Sequence, residues 1–239
     1  MNSTTTCSPE TRAAYTTARS DLLALVPESA RRILEIGCSD GTLGAAIKQR
    51  GDPGTYITGI EANIQLANTA RERLDAVFSC DAEQFDWSRF DDEPRFDCLI
   101  CGDVLEHLRA PAEVLGHAIR HLKPDGAIVT SLPNIRHISA LWAIALSGRF
   151  PRRERGIFDK THLRWFTIHD ARDLVGAVGF SVTKEVFNLR AWDRGGGRIN
   201  RALGRLPQGI ASSFPVREFL TYQYSFRAER LGAPTNVPT

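Results

Sequence analysis

The chain has 239 residues, 42% hydrophobic and 24% charged, with 30 basic against 28 acidic residues. Such a chain buries enough surface to fold as one domain without disulfides or metal, and a net charge of +2 points to no nucleic-acid or membrane partner. No stretch approaches the roughly 18–20 apolar residues of a membrane span, the N-terminal MNSTTTCSPE has no signal-type apolar run, and five cysteines read as reduced thiols, so a cytoplasmic domain is expected.

In chain order, residues 1–30 are expected to form an N-terminal helical segment, which contains Tyr15 and Arg19, four residues apart. Apolar runs at Ile33–Ile36, Tyr56–Ile60, Ala76–Cys80, Phe96–Cys101 and Gly126–Leu132 then alternate with helix-patterned segments at Thr42–Arg50, Asn63–Leu74 and Pro111–Leu122. The last of these opens on a first-turn proline and keeps Val114, Leu115, Ala118, Ile119 and Leu122 on one face. Near-continuous apolar strands alternating with helices predict an α/β, doubly wound, mostly parallel sheet with helices on both faces. The rhythm breaks after Pro133. Residues 134–165 hold an apolar helix, Ile135–Ser147, expected as a lid over the substrate cleft or as a core helix, and then the arginine-rich GRFPRRERG. A helix at Ile168–Ala177 and a strand at Phe180–Phe187 follow, then an irregular linker over 188–217 and an alternating strand at Phe219–Ala228.

The chemistry centres on the strand–turn–helix ILEIGCSDGTLG, residues 33–44. A glycine turn before a helix lets a ligand approach backbone N–H groups. A dinucleotide fingerprint would place glycines where Ser39 and Thr42 stand, and the charge of Asp40 also disfavours a pyrophosphate. Glu61 ends the second strand, where a carboxylate can accept both ribose hydroxyls. Asp81 ends the third, where it can accept from an adenine amino group while the Ala82 N–H meets a ring nitrogen. With Glu35 and Asp103 the crevice is expected to be acidic throughout, which suits an adenosine carrying a positive sulfonium. Taken singly, Glu61 also reads as a solvated strand end and Asp81 as a helix cap.

Together E-I-G-C-S-D-G at 35–41, Glu61, Cys80-Asp81-Ala82, F-D-C-L-I-C-G-D-V-L-E-H-L at 96–108 and L-K-P-D-G-A-I-V-T-S-L-P-N at 122–134 resemble the class I S-adenosylmethionine-dependent methyltransferases. The resemblance spans about residues 15–187. It implies a Rossmann-like seven-stranded sheet with an antiparallel last strand and S-adenosylmethionine as cofactor, released as S-adenosylhomocysteine. It carries the cofactor site onto Tyr15, Arg19, Glu35, Gly37, Cys38, Ser39, Gly41, Glu61, Ala62, Asp81, Ala82, Gly102 and Asp103. Arg19 is then a partner for the methionine carboxylate, with a surface arginine as the alternative. Ser39 stands where such enzymes usually have glycine. The block G-I-F-D-K-T-H-L-R-W-F-T at 156–167 resembles a bacterial subgroup associated with glycan or small-molecule biosynthesis.

For a hydroxyl acceptor, two histidines compete as general base: His107, just beyond strand four, and His162, with Asp159 as its expected partner. Either also reads as a structural histidine. Cys98 and Cys101 spell C-x-x-C, but three residues apart on a strand they face opposite sides, and no second pair completes a metal site. Asp103, Glu106 and His107 offer oxygen and nitrogen ligands, yet no metal is expected. The expected partner is a small-molecule acceptor, bound by a monomer or homodimer; nucleic acid is not expected, and peripheral membrane contact through the arginines is not favoured. The resulting expectation is O-methylation of a sugar or other hydroxylated metabolite. N- or C-methylation, a nicotinamide-dependent oxidoreductase and a non-catalytic methyltransferase-like binding domain are the alternatives.

Overall fold

A computed structural model describes residues 19–50, 53–192 and 197–232. Seven strands form one sheet in the order β3-β2-β1-β4-β5-β7-β6. They are β1 (Arg32–Ile36), β2 (Tyr56–Glu61), β3 (Ala76–Ser79), β4 (Phe96–Gly102), β5 (Leu122–Pro133), β6 (Phe180–Leu189) and β7 (Thr221–Arg230). The first five pair in parallel, and β7 runs antiparallel between β5 and β6. The expected fold class is therefore the observed one.

Each side of the sheet is covered because the strands are apolar on both faces. On one side Ile33, Ile57, Cys98 and Ile100 meet Leu22 and Leu25 of α1 (Ser20–Leu25) and Leu43 and Ile47 of α2 (Thr42–Arg50). α3 (Ile64–Ala70) follows β2, and the Asn63 side chain caps it by accepting from the Gln65 and Leu66 amides. On the other side Leu34, Leu99 and Cys101 meet Val114 and Leu115 of α4 (Pro111–Ala118). Cys98 and Cys101 thus lie in opposite cores, as the strand period requires, and both thiols are pushed up by burial.

Several boundaries move. β5 begins at Leu122 rather than Gly126, and the helix before it closes as a 3₁₀ turn at Ile119–His121. The expected helix at Ile135–Ser147 shortens to α5 (Ile138–Leu141), continued by a π turn over Trp142–Leu146. After α6 (Ile168–Gly176), which opens on a Thr167–Asp170 capping box, the linker holds α7 (Gly197–Leu203), α8 (Gln208–Ala211) and α9 (Val216–Leu220). Phe219 and Leu220 belong to α9, so the last strand starts two residues later than its alternation suggests. That pattern continued from a helical turn into the strand and blurred the boundary.

Candidate active site

The strand order reverses between β1 and β4, so the crevice lies at their carboxyl ends. A cavity of about 450 Å³ opens there, lined by Gly37, Ser39, Glu61, Ala62, Asp81, Ala82, Gly102, Asp103 and His107, with Glu154, Asp159, Lys160 and Thr161 across from them.

The turn takes its shape from β2. The amides of Gly37 and Cys38 both donate to the Ile60 carbonyl, at 2.8 and 3.2 Å, and Ser39 N–H donates to Glu61 Oε2 at 2.9 Å. Gly41 N–H returns to the Cys38 carbonyl, and Thr42 N–H goes to Asp40 Oδ1. The amides of Gly37, Cys38, Ser39, Gly41 and Thr42 are thus paired within the protein and are not offered to a pyrophosphate. Gly37 has φ +71°, and a Cβ there would stand 2.9 Å from Val104 Cγ2. Ser39 adopts φ 51° without being glycine, which explains why glycine is usual at that position.

Glu61 is held by two amides, Ser39 at Oε2 and Asn63 at Oε1, and stays half-buried at the cavity wall. Burial raises its pKa, partly offset by those N–H groups. Asp81 is exposed in the cavity and accepts from Glu83 N–H, so the capping and ligand readings hold together.

Four described residues expected at the cofactor site, Arg19, Glu35, Cys38 and Gly41, do not line the cavity. Glu35 and Cys38 are buried beneath the turn; Glu35, at an odd position of β1 like Ile33, faces the α2 side of the sheet. Burial, then the charges of Glu61 and Asp40, push the Glu35 carboxyl up to about 8, and its Oε2 has no hydrogen-bond partner. Asp40 turns away to Arg73, which also donates to its backbone carbonyl at 2.7 Å. Gly41 packs against Ala70. The acidity of the cavity therefore comes from Glu61, Asp81, Glu83, Asp103, Glu154 and Asp159, rather than from Glu35 or Asp40.

Arg19 caps the edge of the site through Asp103. Its guanidinium forms ion pairs with Asp103 and, at 2.7 Å, with Asp21. Burial would lower its pKa, but these two carboxylates hold it above its ordinary value. Asp103, itself at φ 54°, also accepts from Ser131 Oγ at 2.9 Å and from Gln223. Arg19 thus fixes the acid that faces the cavity and does not line the cavity itself. Tyr15 lies outside the described residues.

The candidate bases are arranged differently from expectation. Asp159 does not pair its carboxylate with His162; it accepts from Thr161 N–H and from Thr161 Oγ1, at 2.9 and 2.6 Å. With its proton on Asp159, Thr161 Oγ1 accepts from His107 Nδ1 at 3.1 Å, which leaves Nε2 as the ring nitrogen available to take a proton. Asp159, Thr161 and His107 therefore form one line along the cavity wall, and all three line it. Thr161 was missed because a threonine inside DKTHLRWF carries no signal of its own.

His162 is buried rather than at the rim, with Nδ1 3.1 Å from the Ile157 carbonyl and its ring packed edge-on to His107 at 4.8 Å. Burial, then His107, hold its pKa below the ordinary value. It is kept there because Leu163 and Arg164 donate their amides to the Glu106 carbonyl. Behind it lies Glu106, 1% exposed, with both carboxylate oxygens unpartnered and Oε1 3.9 Å from His162 Nε2. Burial and the Asp103 charge hold this carboxyl well above its usual range. Glu106, His107 and His162 present ligand atoms within 4.8 Å of one another, a metal-type cluster that the sequence reading did not expect.

The expected lid also moves. Residues 135–147 do not line the cavity, which is covered instead by 154 and 159–161 from the later part of the same insert.

The sequence model of the "Methyltransferase domain" family matches residues 10–185. A ubiquinone biosynthesis O-methyltransferase of Alkalilimnicola ehrlichii is 32% identical over 114 residues, covering 48% of this chain and 46% of that protein. A trans-aconitate 2-methyltransferase of Azoarcus sp. is 27% identical over 143 residues, 56% of this chain and 55% of that one. The chain thus spans about half the length of the curated relatives it matches. A solved S-adenosylmethionine-dependent methyltransferase from Archaeoglobus fulgidus superposes with a TM-score of 0.56 at 19% identity, over 85% of this chain and 87% of that one, a likeness of fold.

Proposed function

The chain belongs to the methyltransferase-domain family, and we propose that it transfers a methyl group from S-adenosylmethionine to a hydroxyl of a small molecule, a sugar or other hydroxylated metabolite. S-adenosylmethionine is the cofactor that fits the cavity: carboxylates end β2, β3 and β4, five amides of the turn are paired within the chain, and Lys160, among the described residues the one lysine or arginine lining the cavity, is paired with Glu154 at 2.7 Å. Glu61 would hold the ribose hydroxyls, Asp81 and the Ala82 amide the adenine edge, and Gly37 and Gly102 give the space. When bound, the cofactor supplies an electrophilic methyl group on a sulfonium.

The observation that carries oxygen as the acceptor atom is the line Asp159–Thr161–His107. An alcohol becomes a good nucleophile only as its proton leaves, and a neutral histidine takes that proton at Nε2. The Asp159 carboxylate, acting through the Thr161 hydroxyl, orients the ring and favours the charge it gains. Alignment of acceptor and methyl, with water kept out by residues 154–161, supplies most of the remaining rate. The chain also lacks the Asn-Pro-Pro-aromatic signature common to amino-group methyltransferases and has G-D-V-L after β4 instead. The name of the Alkalilimnicola relative, an O-methyltransferase, agrees with this reading.

Transfer of a labelled methyl group to paired alcohol and amine acceptors tests the proposal. Labelled ether without labelled amine is expected; the reverse would move the chain to N-methylation, and no transfer to any acceptor would leave a binding domain.

A second reading rests on Glu106, His107 and His162. Two imidazoles and a buried, unpartnered carboxylate suit a divalent cation that would orient an acceptor oxygen in place of a free histidine base. Activity that a chelator abolishes and added Mg²⁺, Mn²⁺ or Zn²⁺ restores would favour it.

A further inference from the structure

Among the described residues, most of the large exposed apolar side chains belong to the two elaborations. The two elaborations, far apart in sequence, meet around a second groove of about 570 Å³. Trp142, Ser147 and Arg153 line it from one side, and Trp192, Arg198 and Ile199 from the other. The large apolar groups here stand in solvent: Trp142 is 56% exposed, Leu146 69%, Trp192 60% and Ile199 64%. The π turn aligns Trp142 and Leu146 with Ile138 along an outward ridge of the first elaboration. A cluster of large apolar groups left in solvent marks a surface that something covers.

Charge identifies what covers it. Residues 138–155 and 197–217 contain eight arginines and one acidic residue, Glu154, while the whole chain carries only +2. The remainder of the molecule is therefore net acidic, and the positive charge is concentrated in the segments that carry the exposed indoles. Arg149, Arg152, Arg155, Arg198, Arg201 and Arg205 are all exposed. A second copy meeting this face symmetrically would set arginines against arginines. Indoles beside guanidinium groups instead match the edge of a bilayer, where tryptophan sits at headgroup level and arginine meets lipid phosphate. Among the described residues no helix is long and apolar enough to cross a membrane, so this contact lies on the surface.

We propose that the face formed by residues 138–155, Trp192 and residues 197–205 docks on an anionic lipid bilayer. Arg153 lines this groove and its neighbour Glu154 lines the cofactor cavity, so docking sets the cavity mouth beside the lipid surface. The sequence reading did not favour a membrane because the two arginine stretches are separated in the chain and only the fold joins them to the tryptophans.

Flotation of the full chain with vesicles tests this. Phosphatidylcholine vesicles containing phosphatidylglycerol should retain it at least about tenfold better than phosphatidylcholine alone, and high salt should release it. Replacing Arg149, Arg152 and Arg198 by Gln should weaken retention about fivefold per arginine. A Trp142→Ser, Trp192→Ser double variant should weaken it at least tenfold while keeping the preference for anionic lipid. Both variants should bind S-adenosylhomocysteine like the parent, which shows that they are folded. Equal retention on neutral and anionic vesicles, no retention on either, or variants that float like the parent would overturn the proposal. Sedimentation showing a dimer that shields the two tryptophans from a quencher would also overturn it, in favour of a second copy.

Discussion

The carboxyl edge of β1–β4 and the two elaborations beside β5 and β7 are built in opposite ways. In the first, the amides of Gly37, Cys38, Ser39, Gly41 and Thr42 have partners within the chain, and Glu61 is fixed from both sides by backbone N–H groups. In the second, a short helix slides into a π turn with no buried residue, and aromatic and arginine side chains face outward. The first region is pre-shaped for one ligand; the second is a surface awaiting one. A substitution in the first should act through geometry and in the second through exposed chemistry.

The largest effect should come from the turn. Gly37→Val combines a side chain at φ +71° with a contact against Val104, together about 2–5 kcal/mol. Calorimetry should show S-adenosylhomocysteine binding lost while β-sheet circular dichroism persists. Next stands the proton path. Thr161→Ala and Asp159→Asn should each lower kcat by about 10–100-fold with cofactor affinity unchanged, whereas a merely structural Thr161 would leave kcat near the parent value. Asp81→Ala should cost about tenfold in S-adenosylhomocysteine affinity, the worth of one charged hydrogen bond.

The smallest effect is one of pH. Glu35 keeps its proton in the fold up to about 8, whereas the unfolded chain releases it near the ordinary value of 4.5. The folded state binds the extra proton between those values, so stability falls as pH rises through the window, by at most about 1.4 kcal/mol per pH unit. Glu35→Gln removes that slope. Its thermal stability relative to the parent should improve steadily from about pH 5 to pH 8, and a gap that stays constant with pH would show that Glu35 ionises freely.

The same contrast explains what could be read in advance. The sheet, its order of elements and the acids at Glu61 and Asp81 were legible because each follows from local rules: a strand period of two, a glycine turn and a strand end. The placement of Glu35 on the far side of β1 was legible in principle, since it has the parity of Ile33, but the motif drew it toward the ligand. What could not be read depends on long-range contacts. Asp159 was assigned to His162, three residues away, yet the chain turns there and Thr161 carries the link to His107 across 54 residues. The apolar segment 135–147 reads as a lid because apolar helices are usually covered, and here its ridge is exposed beside another elaboration that nothing local announces.

The most direct test is calorimetric titration of the parent chain and of Glu61→Ala with S-adenosylhomocysteine and with NAD. Glu61 holds the Ser39 amide as well as the ribose position, so its loss should weaken S-adenosylhomocysteine at least tenfold, with NAD binding neither protein. Binding of NAD without S-adenosylhomocysteine, or unchanged S-adenosylhomocysteine affinity in Glu61→Ala, would contradict the acidic crevice as the cofactor site.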